Sequence, residues 1–318
     1  MSRMKSKRIL VTGGAGFLGT NLCKELLEQG NHVVCLDNFK TSSRENITQF
    51  QGNKFFQFVE HDIIDPIRIE GIDEIYNLAC AASPPMYQKD PVHTLKTNVV
   101  GALNVLELAR ITNARVLQAS TSEIYGNPLV HPQTENYFGN VNPIGPRACY
   151  DEGKRCAETL FFDYFRKYSL EIKVARIFNT YGPFMDVNDG RVISNFVTQA
   201  LTGENITIYG DGTQTRSFCY VDDLISGLIQ LMNSPAGITG PINLGNSLEH
   251  SITEVAEIVV KTIGANTNIV YLNLPEDDPQ LRRPSLDKAK ELIDWQPAVS
   301  FETGLKKTVA YFKDILSF

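Results

Sequence analysis

Tyr150 and Lys154 stand four positions apart in residues 143–155, which read Pro-Ile-Gly-Pro-Arg-Ala-Cys-Tyr-Asp-Glu-Gly-Lys-Arg. Four residues make about one helical turn, so the two side chains share a face and Lys154 can lie near Tyr150 or reach a ligand that touches it. A cation about 4 Å from the phenolate, at an effective dielectric near 20, would lower the tyrosine pKa by about three units before desolvation opposes it. The pair therefore predicts a general base at neutral pH. An exposed helical Tyr and Lys without chemistry would show the same spacing.

A glycine-rich turn follows the first apolar segment of the chain. Residues 7–12 read as a short strand, and residues 17–29 as an amphipathic helix, with Gly13, Gly16 and Gly19 in the turn between them. The glycines allow a tight turn and a close approach of backbone to pyrophosphate, while the helix N-terminus favours negative charge. The spacing is G-x-x-G-x-x-G, and in this strand–turn–helix context it predicts a dinucleotide site.

The residue at the end of the second predicted strand indicates which dinucleotide, NAD or NADP, would bind. Residues 32–36 are apolar after His32, and Asp37 follows them. A carboxylate there would accept hydrogen bonds from the adenosine ribose diol and repel a 2′-phosphate, which favours NAD over NADP. A loop carboxylate that caps the next segment is the alternative for Asp37.

Two later segments end predicted strands with small or polar side chains. Residues 78–85 read Leu-Ala-Cys-Ala-Ala-Ser-Pro-Pro and suit a backbone that lies along a cofactor. In residues 118–126, Thr121, Ser122 and Glu123 supply two hydroxyls and a carboxylate. Any of the three could instead cap a helix or turn, and Thr121 best suits orienting a substrate hydroxyl beside the base.

The elements that must position these residues alternate between strand and helix. Further strands are predicted at residues 55–59, 74–78, 115–118 and 173–177, and helices at 91–111, 148–168, 191–201, 221–232 and 253–263. Such alternation predicts an α/β fold: a Rossmann-type, doubly wound parallel sheet with a smaller C-terminal α/β substrate-binding portion. We expect the NAD-binding domain to span residues 1–180, with residues 181–318 mainly binding substrate and the helix near 221–232 returning to the first sheet.

Composition excludes several classes of protein. The chain has 318 residues, 42% of them hydrophobic, with a net charge of −6 and a pI near 5.5, which speaks against nucleic acid or an anionic membrane as the main partner. No run of about 18 apolar residues predicts a membrane span, and the basic residues 1–8 lack an apolar signal core. Six scattered cysteines and five histidines without metal-ligand spacing predict a cytosolic protein with no metal.

Longer motifs resemble a known family. The glycine turn, Thr121-Ser-Glu-Ile-Tyr-Gly, the Tyr150/Lys154 pair and residues 176–183 (Arg-Ile-Phe-Asn-Thr-Tyr-Gly-Pro) are similar to extended short-chain dehydrogenase/reductases. Within that superfamily, residues 143–155, 188–192 (Asn-Asp-Gly-Arg-Val), 214–218 (Gln-Thr-Arg-Ser-Phe) and 277–284 resemble the UDP-glucuronate decarboxylase (UDP-xylose synthase) family. The resemblance runs from about Lys7 to the end of the chain.

The resemblance implies a reaction for these residues. Tyr150 would take the proton of the sugar 4-hydroxyl while a tightly retained NAD takes hydride from C4, and Lys154 would hold the cofactor ribose. The 4-ketone lies β to the C6 carboxylate, so CO₂ can leave before protonation at C5 and return of the hydride give UDP-xylose. Glu123 and Arg216 would handle the carboxylate end.

The resemblance also implies two sets of contacts. For the cofactor these are Gly13, Gly16, Phe17, Leu18, Asp37, Asn38, Asp62, Ile63, Leu78, Ala79, Ala81, Asn98, Tyr150 and Lys154. For the nucleotide sugar UDP-glucuronate they are Ser83, Pro84, Tyr87, Glu123, Asn179, Arg191, Val192, Tyr209, Gln214, Arg216 and Arg282, with Thr121 and Ser122 completing the catalytic group. A surface ion pair is the alternative for each single arginine.

The chain departs from this family at a few positions, and rival functions remain. Phe184 stands where the family usually has arginine, Asp186 where histidine is frequent, and Cys80-Ala81 replace a more usual Ser-Pro. A UDP-sugar 4-epimerase shares the superfamily machinery but has no need of Glu123 or of an arginine facing a carboxylate. A 4,6-dehydratase usually shows Asp-Glu at positions 122–123, and a non-catalytic NAD or nucleotide-sugar sensor has no reason to keep a base.

The two long helices predicted at residues 91–111 and 148–168 also indicate how chains could assemble. They carry more apolar residues than one core face requires, namely Val99, Val100, Leu103, Leu106, Leu160, Phe161 and Phe165. In the resembled superfamily such helices pair across a two-fold axis in a four-helix bundle, so we expect a homodimer. Packing on the sheet is the alternative.

Overall fold

A seven-stranded parallel sheet forms the centre of the protein, seen in a computed structural model that describes residues 6–273 and 281–317. Its strand order is β11-β6-β5-β4-β1-β2-β3, the arrangement of a doubly wound dinucleotide fold with one added strand. The strands are β1 (Arg8–Thr12), β2 (His32–Asp37), β3 (Phe56–Glu60), β4 (Glu74–Asn77), β5 (Arg115–Thr121), β6 (Ile172–Ile177) and β11 (Ile242–Leu244). The predicted basic segment 1–8 and the motif 277–284 lie partly outside the described residues.

Helices cover both faces of this sheet. Around it lie α1 (Phe17–Glu28), α2 (Glu45–Thr48), α3 (Pro84–Lys89), α4 (Pro91–Lys96), α5 (Ala102–Thr112), α6 (Ala148–Tyr168) and α8 (Val221–Asn233). Side chains alternate across a strand, so Ile9 and Val11 of β1 join one hydrophobic cluster with α1 and α8, while Leu10 joins another with α5 and α6. The sheet is buried on both sides, as an all-parallel sheet requires.

A smaller portion follows β6. It contains β7 (Thr180–Tyr181), α7 (Val192–Thr202), β8 (Ile206–Tyr209), β9 (Thr215–Ser217), β10 (Cys219–Tyr220), β12 (Glu249–Ser251), α9 (Ile252–Ile263), β13 (Ile269–Leu272), β14 (Leu281–Arg282), α10 (Asp287–Ile293) and α11 (Phe301–Leu316). Three short sheets, β10-β7, β12-β9-β14 and β13-β8, build its loops into a wall beside the main sheet. Helix α8 and strand β11 leave this portion and pack on the first sheet.

The helix predicted over residues 91–111 contains a feature that the sequence did not indicate. Between α4 and α5 the chain makes one π-helical turn, Thr97–Gly101, and then continues as helix. A π turn inserts a residue into the helical ladder and shifts the side chains that follow, and such turns recur at functional sites. Asn98 lies in this turn, so its orientation depends on it.

No helix in residues 6–273 and 281–317 has the length and apolar character needed to cross a lipid bilayer.

Candidate active site

Two adjoining cavities open at the carboxyl ends of the sheet strands. The first has a volume of about 1210 Å³ and reaches from the glycine turn past Asp37 to Asp62. The second, of about 570 Å³, contains Tyr150 and Glu123. The strands of an open α/β sheet place ligands at this edge, where the strand order reverses between β1 and β4.

The glycine turn is shaped for the close approach of a ligand. Gly13 has a φ of +66°, and a Cβ there would lie 2.9 Å from the backbone of Ala79. A Cβ on Gly19 would lie 2.1 Å from the carbonyl oxygen of Gly13, so the turn packs directly on α1. The predicted strand–turn–helix unit is therefore present, with α1 beginning at Phe17.

Asp37 ends β2 and is held by its own loop. Its Oδ2 accepts a hydrogen bond from the Ala15 amide at 3.0 Å, while Oδ1 accepts from the Phe39 amide at 2.9 Å and the Ser42 hydroxyl at 2.7 Å. Both the predicted ligand contact and the alternative cap are compatible with this geometry, because the carboxylate caps the loop and also lines the first cavity.

A second carboxylate lies further along the first cavity. Asp62 Oδ2 accepts a hydrogen bond from the Asn38 amide at 2.8 Å and lies 2.8 Å from Nε2 of His93. Burial alone would raise the pKa of Asp62, but hydrogen bonds from the Ile64 amide, His93 and Asn38 lower it below its ordinary value. Asp62 is therefore a fixed anion at neutral pH, in the wall that the prediction assigned to the cofactor.

Tyr150 and Lys154 lie on one face of α6 as the spacing predicted, but their electrostatics differ from the expectation. Burial raises the pKa of Tyr150 above its ordinary value, with Cys80 adding to the rise and a hydrogen bond from Thr121 opposing it. The Lys154 ammonium donates to the Ala119 carbonyl at 2.9 Å and lies 5.7 Å from the centre of the Tyr150 ring. In the protein chain by itself, burial therefore outweighs the lowering of the tyrosine pKa that was expected from Lys154, and the net shift is upward.

Thr121 has two partners. Its hydroxyl caps the short 3₁₀ turn Ser122–Tyr125 by accepting from the Glu123 amide at 3.2 Å, and it also contacts the Tyr150 phenol. The capping alternative is therefore present, and the orientation of a substrate hydroxyl by Thr121 stays a prediction. Ser122 is buried and lines the second cavity.

Glu123 lies between two arginines at the inner wall of the second cavity. Arg282 donates to both of its oxygens, at 2.7 and 2.9 Å, and Arg147 donates to Oε2 at 2.7 Å. Burial would raise the pKa of Glu123, but the charges of Arg282 and Arg147 lower it to about 2. Glu123 is thus ionised throughout the neutral range, with Arg282 and Arg147 as its guanidinium partners.

Arg216 lies beside Arg282 in a short sheet. The two are register partners on β9 and β14, and both line the second cavity. Arg216 also donates to the Thr215 carbonyl at 2.8 Å. The wall of the second cavity therefore carries two neighbouring guanidinium groups, a suitable surface for anionic substrate groups.

Arg191 sits where the two cavities meet. It lines both of them, and Asp189 holds its guanidinium through two hydrogen bonds. Burial would lower the pKa of Arg191, but Asp189 raises it above its ordinary value. The ion-pair alternative is therefore realised, in a pair that also faces the site.

The structure places most of the remaining predicted residues along these walls. The first cavity is lined by Gly13, Gly16, Phe17, Leu18, Asp37, Asn38, Asp62, Ile63, Leu78, Ala79, Ala81 and Ser83. The second is lined by Pro84, Thr121, Ser122, Glu123, Tyr150, Lys154, Asn179, Val192, Tyr209, Gln214, Arg216 and Arg282. Ser83, predicted to contact substrate, lies on the wall of the first cavity.

Two predicted contact residues lie behind the cavity walls. Tyr87 is fully buried and stacks on Tyr150 with 5.0 Å between ring centroids. Asn98 donates to Cys80 Sγ at 3.2 Å and to the Thr94 carbonyl at 3.1 Å. Both therefore support residues of the site instead of lining it.

The departures from the resembled family fall mainly on the cofactor side. Phe184 and Asp186 line the first cavity, and Phe184 packs against Tyr311 of α11 with 5.2 Å between ring centroids. Cys80 lines both cavities, and Ala81 the first. These departures therefore lie on the wall that the prediction assigned to the cofactor.

A buried polar network fixes the strands that carry these side chains. Glu158 of α6 accepts from Ser120 of β5 at 2.5 Å and from Arg176 of β6 at 3.0 and 2.8 Å. Arg176 also donates to the Tyr125 hydroxyl at 2.9 Å. Because both ion-pair partners are further hydrogen-bonded, α6 is held in register with the ends of β5 and β6.

Sequence reasoning missed two residues with ionisable side chains, Arg147 in the wall of the second cavity and the buried Asp151 next to Tyr150. They flank Tyr150 on the same segment, and position 147 is one helical turn before it. That spacing could have indicated Arg147, since an arginine on the face of the base is suited to pair a carboxylate. Nothing local indicates that Asp151 is buried.

The chain is similar in sequence and in fold to several known proteins. A model of the "NAD dependent epimerase/dehydratase family" matches residues 9–245. UDP-glucuronic acid decarboxylase 1 of Xenopus tropicalis is 52% identical over 313 residues, which cover 98% of this chain and 74% of that protein. UDP-glucuronic acid decarboxylase 6 of Arabidopsis thaliana is 53% identical over 299 residues, covering 94% and 86%. A solved UDP-glucuronic acid 4-epimerase from Bacillus cereus, in complex with UDP-glucuronic acid and NAD, is 29% identical with a TM-score of 0.86, covering 97% of this chain and 99% of that one.

Proposed function

This chain belongs to the NAD dependent epimerase/dehydratase family, and we propose that it decarboxylates UDP-glucuronate to UDP-xylose with NAD as a recycled cofactor. Relatives that cover nearly all of the chain at 52 and 53% identity carry the name UDP-glucuronic acid decarboxylase. The epimerase of Bacillus cereus shares the fold at 29% identity. The difference in identity favours decarboxylation over epimerisation.

The arrangement of Glu123 between Arg282 and Arg147 carries this proposal. It puts a permanent anion and a guanidinium pair within the cavity that holds Tyr150. An enzyme that breaks the bond between C5 and C6 needs groups that act on the substrate carboxylate, whereas a 4-epimerase leaves that group unchanged. The neighbouring Arg216 and Arg282 can hold anionic oxygens, and Glu123 makes retention of a second carboxylate unfavourable.

The first cavity fits NAD. Its volume of about 1210 Å³ is lined by the glycine turn at the start of α1, where the backbone of Ala79 leaves no room for a Cβ at Gly13. Asp37, on the same wall, stands where a 2′-phosphate would be repelled. When bound, NAD would take hydride from sugar C4 and return it after CO₂ has left, while its positive ring favours the phenolate of Tyr150.

Tyr150 supplies the proton transfer of both redox steps. Its phenol would accept the proton of the 4-hydroxyl while Thr121, which contacts it, orients that hydroxyl. Because burial holds the pKa of the phenol high, we expect it to ionise only when substrate and cofactor surround it. The same phenol returns the proton to the 4-oxygen at the end of the cycle.

Loss of CO₂ takes place between these two proton transfers. The electron pair of the C5–C6 bond moves into the 4-ketone as CO₂ departs, and C5 then gains a proton. Arg282 and Arg216 lie on the wall that would bind the carboxylate before it leaves. The ionised Glu123, fixed by hydrogen bonds of 2.7–2.9 Å, repels that carboxylate and so favours departure.

A proton NMR time course with purified protein and UDP-glucuronate, without added NAD, tests the proposal. We expect UDP-xylose to form, which requires both decarboxylation and retained cofactor. UDP-galacturonate would identify a 4-epimerase instead. Accumulated UDP-4-keto-pentose would mean that reduced cofactor escapes before the return step, and no reaction at full NAD occupancy would favour a sensor.

The Tyr150→Phe variant is the matched control for that experiment. It keeps the stacked ring but removes the base, so product formation should stop while bound NAD stays at the wild-type level. Loss of NAD together with activity would mean that Tyr150 holds the cofactor more than it moves a proton.

The division of labour in the chain follows from the two cavities. We propose that residues 1–180 mainly bind NAD and residues 181–318 mainly bind the nucleotide sugar. Arg191 and Tyr311 of the later portion also line the first cavity. The boundary near residue 180 therefore does not separate the two binding roles completely. The six cysteines are free thiols, and this supports the proposed cytosolic location.

A homodimer through the two long helices is the assembly that we propose. Val100 and Phe165 are 40% and 39% exposed, whereas Leu106 and Phe161 are fully buried in the chain's own core. Only part of the predicted apolar surplus is therefore available to a partner. Light scattering should give a mass in solution of two chains. A double variant with Val100→Asp and Phe165→Asp should give the mass of a single chain.

A further inference from the structure

Asp151 is a buried carboxyl group to which the site described above assigns no role. It follows Tyr150 on α6, is 6% exposed, and lines neither cavity among the residues that the structure describes. Its Oδ1 has no hydrogen-bond partner within the described parts of the chain. A buried carboxylate that accepts no hydrogen bonds is costly, so such a group either binds a proton or finds a cation.

The cations near Asp151 are already engaged. Arg282 and Arg147 both donate to Glu123, at distances of 2.7–2.9 Å. Burial raises the pKa of Asp151 to about 8, and the charge of Glu123 adds to this rise while Arg147 and Arg282 oppose it. Of the two buried carboxyl groups, Glu123 is therefore an anion at neutral pH and Asp151 a neutral acid.

The other titratable groups around Asp151 come from three neighbouring elements and from α6 itself. They are Tyr87 on α3, Glu123 on the 3₁₀ turn, Arg282 on β14, and Arg147, Cys149 and Glu152 on the α6 segment. The Tyr87 phenol, also buried without a partner among the described residues, has its pKa raised by burial and by Glu123. Neither it nor Cys149 can supply the missing positive charge.

We propose that Asp151 is a positioning residue that works in its protonated form: as a neutral acid it leaves Arg147 and Arg282 to Glu123, and so fixes Glu123 beside Tyr150. The step that depends on this position is the decarboxylation proposed above, and the inference rests on that function for its effect on turnover. The protonation itself does not depend on the substrate.

An ionised Asp151 would compete with Glu123 for the same guanidinium groups. Arg147 lies one helical turn before it, within reach of both carboxylates. Once shared, Arg147 would no longer hold Glu123 in one place, and turnover would fall as the pH rises through the ionisation of Asp151. The Asp151→Asn variant cannot ionise and should lose this high-pH decline.

The pH dependence of kcat between pH 6 and 10 tests the inference. In the wild type we expect kcat to fall about tenfold per pH unit above the ionisation, and in Asp151→Asn to stay within about threefold up to pH 9. Asp151→Leu, which also cannot ionise, serves if the asparagine variant folds poorly. Glu152→Gln removes the adjacent, partly exposed carboxylate on the same helix and should keep the wild-type profile.

A second measurement follows the proton directly. Carboxyl ¹³C NMR of aspartate-labelled protein should show one resonance that is absent from Asp151→Asn and titrates near pH 8. If the chemical shift of this resonance shows that the Asp151 carboxyl is already ionised at pH 6, the inference is overturned whatever the substrate proves to be. An unchanged high-pH decline in both non-ionising variants overturns it as well, and absence of UDP-xylose from all proteins would refute the proposed function but not the protonation of Asp151.

Discussion

The ring of Tyr87 lies flat against the ring of Tyr150, with centroids 5.0 Å apart and planes within 4°. Tyr87 is fully buried on α3, so the general base is backed by a rigid aromatic surface. Stacked pairs of this kind contribute about 0.5–1.5 kcal/mol beyond the area they bury. The position of the Tyr150 phenol thus depends on a residue that does not line either cavity.

Substitution of Tyr87 separates the role of its ring from that of its hydroxyl. Tyr87→Phe keeps the ring and removes a buried hydroxyl with no described partner, so we expect unchanged turnover and a Tm equal to or above that of the wild type. Tyr87→Leu removes the stacking surface and should lower kcat by up to roughly 100-fold through misplacement of the base. Thermal unfolding and initial rates measure both, and a loss of rate in Tyr87→Phe would show that the hydroxyl takes part.

Glu123→Gln should slow decarboxylation far more than it weakens NAD binding. The amide keeps the shape of the side chain but removes the charge that opposes the substrate carboxylate, and we expect kcat to fall by roughly 100-fold or more. Glu123 lines the second cavity and not the first, so bound NAD, measured by absorbance after denaturation, should match the wild type. Glu152→Gln is the control for charge loss nearby, and equal loss of NAD and activity in Glu123→Gln would mean that Glu123 is structural.

The fold was largely predictable because its signals are local. Residues 148–168 were predicted as a helix, and α6 has these bounds. An apolar stripe indicates the face of the helix that packs on the protein, and Ser169 indicates where the helix ends. Strand β11 was missed because it has three residues, Ile242–Leu244, too few for a periodic pattern. The π turn at Thr97–Gly101 leaves no signal in composition.

The site was predictable only where its chemistry lies in one segment. Tyr150, Lys154 and the glycine turn each belong to a short motif with its own spacing. The partner of Glu123 does not, because Arg282 is 159 positions away and meets it through the pairing of β14 with β9. The pKa of Tyr150 was mispredicted for a related reason: the spacing gave the position of Lys154, but not the burial of the phenol, which raises that pKa.

Asp151 makes the stability of the fold depend on pH. Its pKa is about 8 in the folded protein against an ordinary 3.8, so the folded state binds an additional proton between these values. The stabilisation is complete below about pH 4 and is lost as pH rises through the folded pKa. We expect the free energy of unfolding of the wild type to decline between about pH 4 and 8 relative to Asp151→Asn, as measured by urea denaturation. Parallel curves for the two proteins would contradict this.

Phe184 offers a test of cofactor retention. It lies on the wall of the first cavity with a φ of +68°, a conformation that an L side chain adopts at a cost. Replacing the ring by a cation near an anionic dinucleotide should slow NAD release by about tenfold at low salt, and by less at high salt.

Phe184→Arg and Phe184→Leu form a matched pair for that measurement. Both keep the same strained backbone, and both lose the ring contact with Tyr311, so they differ mainly in charge. NAD dissociation followed by fluorescence should therefore be slower in the arginine variant than in the leucine variant. Equal rates would place position 184 away from the pyrophosphate and leave the ring contact with α11 as its role. Faster release from both variants than from the wild type would show that this contact itself helps to close the cavity, because α11 reaches the cavity through Tyr311 and Ile315.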